Sequence, residues 1–110
     1  MFNDITSYIE ICMSKKLATK SYVDSRREVI DVNLQFDGTV YYNNKLKNIS
    51  LLIAIAKDND NRNSVFLFTD SSYMVANDRS LILDTQYGAL TPVKNDNPIT
   101  WKIRKLVIFH

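Results

Sequence analysis

Apolar and polar residues alternate without a break from Ile30 to Phe36: Ile30, Val32, Leu34 and Phe36 are separated by Asp31, Asn33 and Gln35. Successive side chains of a strand point to opposite faces, so this run predicts a strand with one face on a core. Asp37-Gly38 follows, ahead of the strand-forming VYY, and this dipeptide suits the positive φ angles of a type I′ hairpin. In that register Leu34 faces Tyr41 and Asn33 faces Tyr42. Nearer the start the period changes. Ile5, Tyr8, Ile9, Cys12 and Met13 recur at the spacing of one helical face, Leu17 adds a turn, Asn3 or Asp4 can cap the start, and Lys15 and Lys16 suit the end. These positions predict a helix over Asp4 to Leu17.

Beyond the expected hairpin, NISLLIAIAKD fits either a helix or a strand. Ile49, Leu51, Ile53 and Ile55 form one alternating set and Ser50, Leu52, Ala54 and Ala56 the other, and the isoleucines favour a strand. DNDNRN, Asp58 to Asn63, is a polar loop before SVFLFT, which suggests a second hairpin. Short strands are expected near Tyr73 to Asn77, Ser80 to Asp84, Tyr87 to Val93 and Ile99 to Phe109. Pro92 marks an edge or a strand end, and Pro98 opens the last strand. On strict alternation Trp101, Ile103, Val107 and Phe109 share one face of that strand, while Lys102 and Arg104 share the other with Leu106 and Ile108. The predicted fold is a single α+β domain over residues 1–110, an N-terminal helix packed on a curled, mainly antiparallel sheet or partial barrel of about six to eight strands.

Composition adds limits. With 45% hydrophobic and 24% charged residues the chain can bury a core, and a net charge of +2, evenly spread, lacks the basic concentration of a strong nucleic-acid binder. The single cysteine, Cys12, cannot form an internal disulfide, which fits a reducing cytoplasm. The N-terminal charge order is the reverse of a signal peptide's, and the longest apolar run, LLIAIA, is too short to span a bilayer, so no membrane association is expected.

Most catalytic chemistries lack their residues. The one histidine is His110, so neither Cys12 nor a serine has a histidine base expected nearby, and one Cys with one His cannot build a zinc site. The cluster Asp58, Asn59, Asp60, Asn61 and Asn63 could offer oxygen ligands, but the sixth and twelfth places of an EF-hand loop counted from Asp58 hold Asn63 and Thr69 where Gly and Glu are needed. The two glycines, Gly38 and Gly88, are too far apart for a phosphate-cradling loop. Asp70 and Asp84 at strand ends read as turn formers. No metal or cofactor is expected. Lys102, Arg104 and Lys105 beside aromatic residues could serve a nucleic-acid-associated regulator.

A cysteine on an N-terminal helix followed by strands resembles papain-like and transglutaminase-like hydrolases, but VFLFTDSSYMV lacks the histidine those families carry on a central strand. The order IDVNLQFDGTVYYNNKLKN, a candidate helix, then SVFLFTD resembles the periplasmic domain of ExbD and TolR proteins over about forty residues. That resemblance implies a strand pair, a helix and a strand in an interaction domain. Those proteins also carry a membrane helix ahead of the domain, for which no matching run occurs here.

If the strands run alternately up and down, the connections after the first, third, fifth and seventh lie at one end. That end collects Asp37, Asp58, Asp60, Asp78 and Asp96 with Lys57, Arg62, Arg79 and Lys94. The other gathers Arg26, Arg27, Lys45 and Lys47 with Glu28, Asp70 and Asp84. Loops on a rigid sheet are suited to recognition. The expected function is therefore non-enzymatic protein binding, in the manner of a toxin-neutralising immunity protein. The expected partner is a toxin domain encoded nearby, and the expected contacts are Asp37, Tyr42, Asp58, Asp60, Asp78, Arg79 and Asp96. Tyrosine and Trp101 are suited to interface anchoring.

Overall fold

The structure is a computed structural model and describes residues 25–110. Eight strands follow one another: β1 (Arg27–Gln35), β2 (Tyr41–Tyr42), β3 (Leu51–Asp58), β4 (Asn63–Phe68), β5 (Ser72–Ala76), β6 (Arg79–Asp84), β7 (Ala89–Pro92) and β8 (Trp101–Phe109). A 3-10 turn, Asn44–Leu46, stands between β2 and β3; Asn43 Oδ1 caps it by accepting from Lys45 N at 2.9 Å. The strands form two four-stranded antiparallel sheets, ordered β1-β8-β3-β4 and β2-β7-β6-β5.

Their inner faces share one core. Leu52, Ala54, Phe66, Phe68, Ile103, Leu106 and Ile108 come from the first sheet, and Leu81, Leu83 and Leu90 from the second. The α+β expectation of a curled sheet or partial barrel is thus corrected: the described residues form a two-layer β structure with no closed barrel. The helix expected over Asp4 to Leu17 lies outside the described residues.

The Asp37-Gly38 hairpin is also corrected. β1 pairs with β8, and β2 pairs with β7, so Leu34 lies opposite Ile103 and Tyr41 opposite Leu90. Gly38, at φ +85, donates its N–H to Pro92 O at 2.8 Å, and the dipeptide turns the chain from one sheet to the other. The two-residue turn with positive φ at both places is Asn77-Asp78, at +51 and +60, which joins β5 to β6 with Ala76 opposite Arg79. Asn and Asp tolerate this left-handed backbone better than most residues.

Residues 51–58 are the strand that their isoleucines favoured, which removes the helix implied by the ExbD and TolR resemblance. The face carrying Ala54 and Ala56 is the buried one, and Leu51, Ile53 and Ile55 point outward. Large side chains from neighbouring elements explain this: Ala54 lies opposite Phe66, which packs on Phe36 with ring centroids 6.1 Å apart. Small residues facing large ones let the layers fill without voids.

β8 breaks the strict alternation expected of it. Lys105 pairs with Ile55 and Ile103 with Ala56, so Arg104 is skipped. An extra residue of this kind, a β-bulge, moves every later side chain to the other face. Trp101 and Ile103 therefore share the interior with Leu106 and Ile108, while Lys102, Lys105 and Val107 face out. β8 begins at Trp101, three residues after Pro98, and Pro92 ends β7.

Candidate functional site

The strands do alternate in direction although they divide between two sheets, so the connections after β1, β3, β5 and β7 meet at one end. Three of the four, all but the two-residue β5–β6 turn, are organised by a short side chain bonding to nearby backbone. Asp37 Oδ1 accepts from Thr39 N at 3.0 Å. Asn97 N donates to Asn95 Oδ1 at 2.7 Å, and Ile99 N to Asn97 Oδ1 at 3.0 Å. Asx geometry of this type lets a loop replace ladder hydrogen bonds with its own.

Asp58 is the most heavily engaged carboxylate. Its Oδ1 accepts from Asp60 N and Arg62 N, both at 2.9 Å, and its Oδ2 from Arg62 Nε at 2.8 Å. Burial alone raises the Asp58 carboxyl, but the backbone N–H groups of Arg62 and Asp60, with the Arg62 guanidinium, outweigh it and hold the pKa below the ordinary value. The Thr39 N–H likewise lowers Asp37.

Longer bonds tie the loops together. Asn77 Nδ2 donates to Ser64 Oγ at 2.7 Å, and Asn95 Nδ2 to the Asp78 carbonyl at 2.6 Å. Arg79 is only 3% exposed; its guanidinium donates to the carbonyls of Asn97, at 3.3 Å, and Ile99. Two open concavities result. One of about 520 Å³ is lined by Arg62, Asn77, Asp78, Asn97, Ile99 and Trp101. The other, of about 140 Å³, shares Asn97, Ile99 and Trp101 and adds Asp37, Asn95 and Arg79.

The seven expected contacts divide accordingly. Asp37, Asp60, Asp78 and Asp96 are exposed at this end, whereas Asp58 and Arg79 are buried beneath it as supports. With one carboxylate and one guanidinium both withdrawn, four aspartates stand outward against Lys57, Arg62 and Lys94, so the end stays charge-mixed with the acids one ahead. Tyr42 is elsewhere: it is 68% exposed on the outer face of the second sheet, opposite Ala89. Sequence reasoning missed Asn77, Asn95 and Asn97, whose signal was the recurrence of Asn beside Asp in ANDR and KNDNP.

At the opposite end Glu28 pairs with Lys45, and His110 Nε2 lies 3.4 Å from Glu28 Oε1. The Lys45 ammonium is the main influence lowering the Glu28 carboxyl. Asp70 Oδ1 accepts from Ser71 N and Asp84 Oδ1 from Gln86 N, both as turn formers. Among the described residues, no group of three or more His, Cys, Asp or Glu is placed to hold a metal ion. None of the described helices is long and apolar enough to cross a membrane. Lys102 and Lys105 lie on the outer face of the first sheet, where Lys57 stands opposite Lys102, while Trp101 turns inward. Comparison with protein-family models, curated proteins and solved structures finds no match to this chain.

Proposed function

We propose that the chain is a small non-enzymatic protein-binding protein, an inhibitor of the toxin-neutralising kind. It meets its partner with the loop end bearing Asp37, Asp60, Asp78 and Asp96 and acts in the cytoplasm. The observation that supports this reading is the cross-bonding of those loops through Arg79, Asn77 and Asn95, with the Asp37 loop tied by Gly38 N to Pro92 O, which holds four exposed carboxylates on a fixed frame. A rigid recognition surface loses little conformational entropy on binding. Its mixed rim, four aspartates against Lys57, Arg62 and Lys94, favours a partner of complementary charge pattern and speeds encounter more than it strengthens the final contact.

The test is complex formation with the product of a neighbouring gene. A stoichiometric complex is expected, and Asp37→Lys, Asp78→Lys and Asp96→Lys combined should slow association by about tenfold or more at low salt. A complex indifferent to all three reversals would place the contact elsewhere, and no complex would reject the reading. A nucleic-acid-associated role through Lys102, Arg104 and Lys105 is the second reading, supported by Lys57 beside Lys102. Trp101 is unavailable for base stacking, and oligonucleotide titration at low and high salt decides it.

A further inference from the structure

The outer face of the first sheet is unusual for a face turned from the core. Val29, Val107, Ile53 and Leu67 lie opposite one another across all four strands, forming an unbroken apolar row. The row beside it, Asp31, Lys105, Ile55 and Val65, is half apolar. Val29 is 50% exposed and Leu67 47%. One such side chain in water is ordinary, but a contiguous strip across a sheet marks a covered surface.

Phe109 sharpens the point. Its register partners are Arg27 and Leu51, whose side chains point outward, and it is not a member of the interior cluster. Yet it is only 7% exposed. At this end of the strip an outward-facing ring is thus already withdrawn from water.

We propose that residues 4–17 of the same chain cover this face, Ile5, Tyr8, Ile9, Cys12 and Met13 supplying the apolar contact; it is the contact that is inferred, whatever backbone carries it. The chain joins the first sheet at this corner, because His110 N donates to the Arg26 carbonyl at 2.9 Å beside Phe109. Reach is sufficient. Seven residues, Ala18 to Asp24, extend up to about 23 Å, and four strands spaced about 4.8 Å apart set the outer two only about 14 Å from each other. A tethered segment also competes at an effective concentration in the millimolar range, ahead of a second copy of the chain. This inference is independent of the loop-end reading.

Cys12, the one cysteine of the chain, is the reporter. In the full-length native protein its maleimide labelling should be roughly 100-fold slower than in denaturant. Leu67→Lys and Val29→Lys should each raise the native rate about tenfold, a change equivalent to about 1.4 kcal/mol, while Tyr73→Lys on the second sheet should not. Both sheet positions are half-exposed, so a lysine there keeps its charge in water. A second measurement leaves the sheet untouched: a nitroxide on Ser14→Cys, with Cys12→Ser, should broaden the methyl signals of Val29, Ile53 and Leu67. Fast labelling of native Cys12, protection lost on dilution, equal responses to Leu67→Lys and Tyr73→Lys, or broadening of Val75 and Ile82 instead would each overturn the proposal.

Discussion

The two sheets share one core but are built to different standards. Strands of the first have nine, nine, eight and six residues, and those of the second two, four, six and five. The first has apolar side chains on both faces, as LLIAIA in β3 and the close of β8 show. The second keeps its leucines inside; outside it shows Tyr42 apart and a short apolar group, Tyr73, Val75 and Ile82, confined to β5 and β6. Near-continuous apolar runs are characteristic of sheets covered on both sides, and alternation of sheets with one face in water. The difference teaches that the first sheet is the scaffold, and the second closes the core against it.

The contrast can be broken most severely from inside. Phe66→Ala should cost about 3–5 kcal/mol, as for large aromatic deletions in cores, and Leu83→Ala in the second sheet less. Urea unfolding of the two variants measures the order; equal losses would remove the distinction between scaffold and closure. Next comes the seam between β2 and β7. Gly88 sits at φ +64, and a Cβ there would lie 2.4 Å from the Asn43 carbonyl oxygen. Gly88→Ala should therefore destabilise by more than about 1 kcal/mol, read as a lower urea midpoint.

Acid separates the loop end from the rest. The Asp58 carboxyl is depressed in the folded protein below its ordinary value of 3.8, so its contribution is complete above that pH. The contribution is lost as the pH falls through the lower folded value. Asp58→Asn should flatten the decline of stability below about pH 4, while the slope due to Glu28 and Asp37, whose carboxyls are also lowered, persists. Stability measured from pH 2 to 6 checks this, and an unchanged slope would show that the Arg62 loop contributes nothing to it. The smallest effect belongs to the outside of the second sheet. The Tyr73 side chain is 57% exposed there and its hydroxyl bonds Ser80 Oγ at 2.8 Å, so Tyr73→Ala should stay within about 0.5 kcal/mol of the parent.

What could be seen in advance follows the same division between local and distant causes. The alternation of β1 and the strand over 51–58 were legible because side-chain period is a local property. So was the clustering of the four aspartate loops, since it needed only strands of alternating direction. The partner of β1 was not legible: Asp37-Gly38 looked like a hairpin, but the pairing that prevailed joins Arg27 to Phe109. Local turn preference is worth little against burial of a whole strand. The inward face of β3 depended on large neighbours such as Phe66, which stands opposite Ala54. The faces of β8 depended on one bulged residue, Arg104, which no alternation reveals. At the site, the aspartates were visible by type, but the withdrawal of Arg79 beneath them follows from tertiary contacts with residues 97–99.

The position of β8 between β1 and β3 has a consequence for how the molecule comes into being. The ribosome delivers β1 first and β8 last, so the first sheet has a gap in its middle until residue 109 has been made. Before then β1 has no antiparallel partner, and β3 can pair only with β4. Pairings this distant in sequence form slowly, and an unpaired apolar strand is open to wrong partners while it waits. Synthesis halted before Trp101 would leave the β3–β4 hairpin and the second sheet without their scaffold, a species for chaperones or proteases rather than a smaller version of the domain.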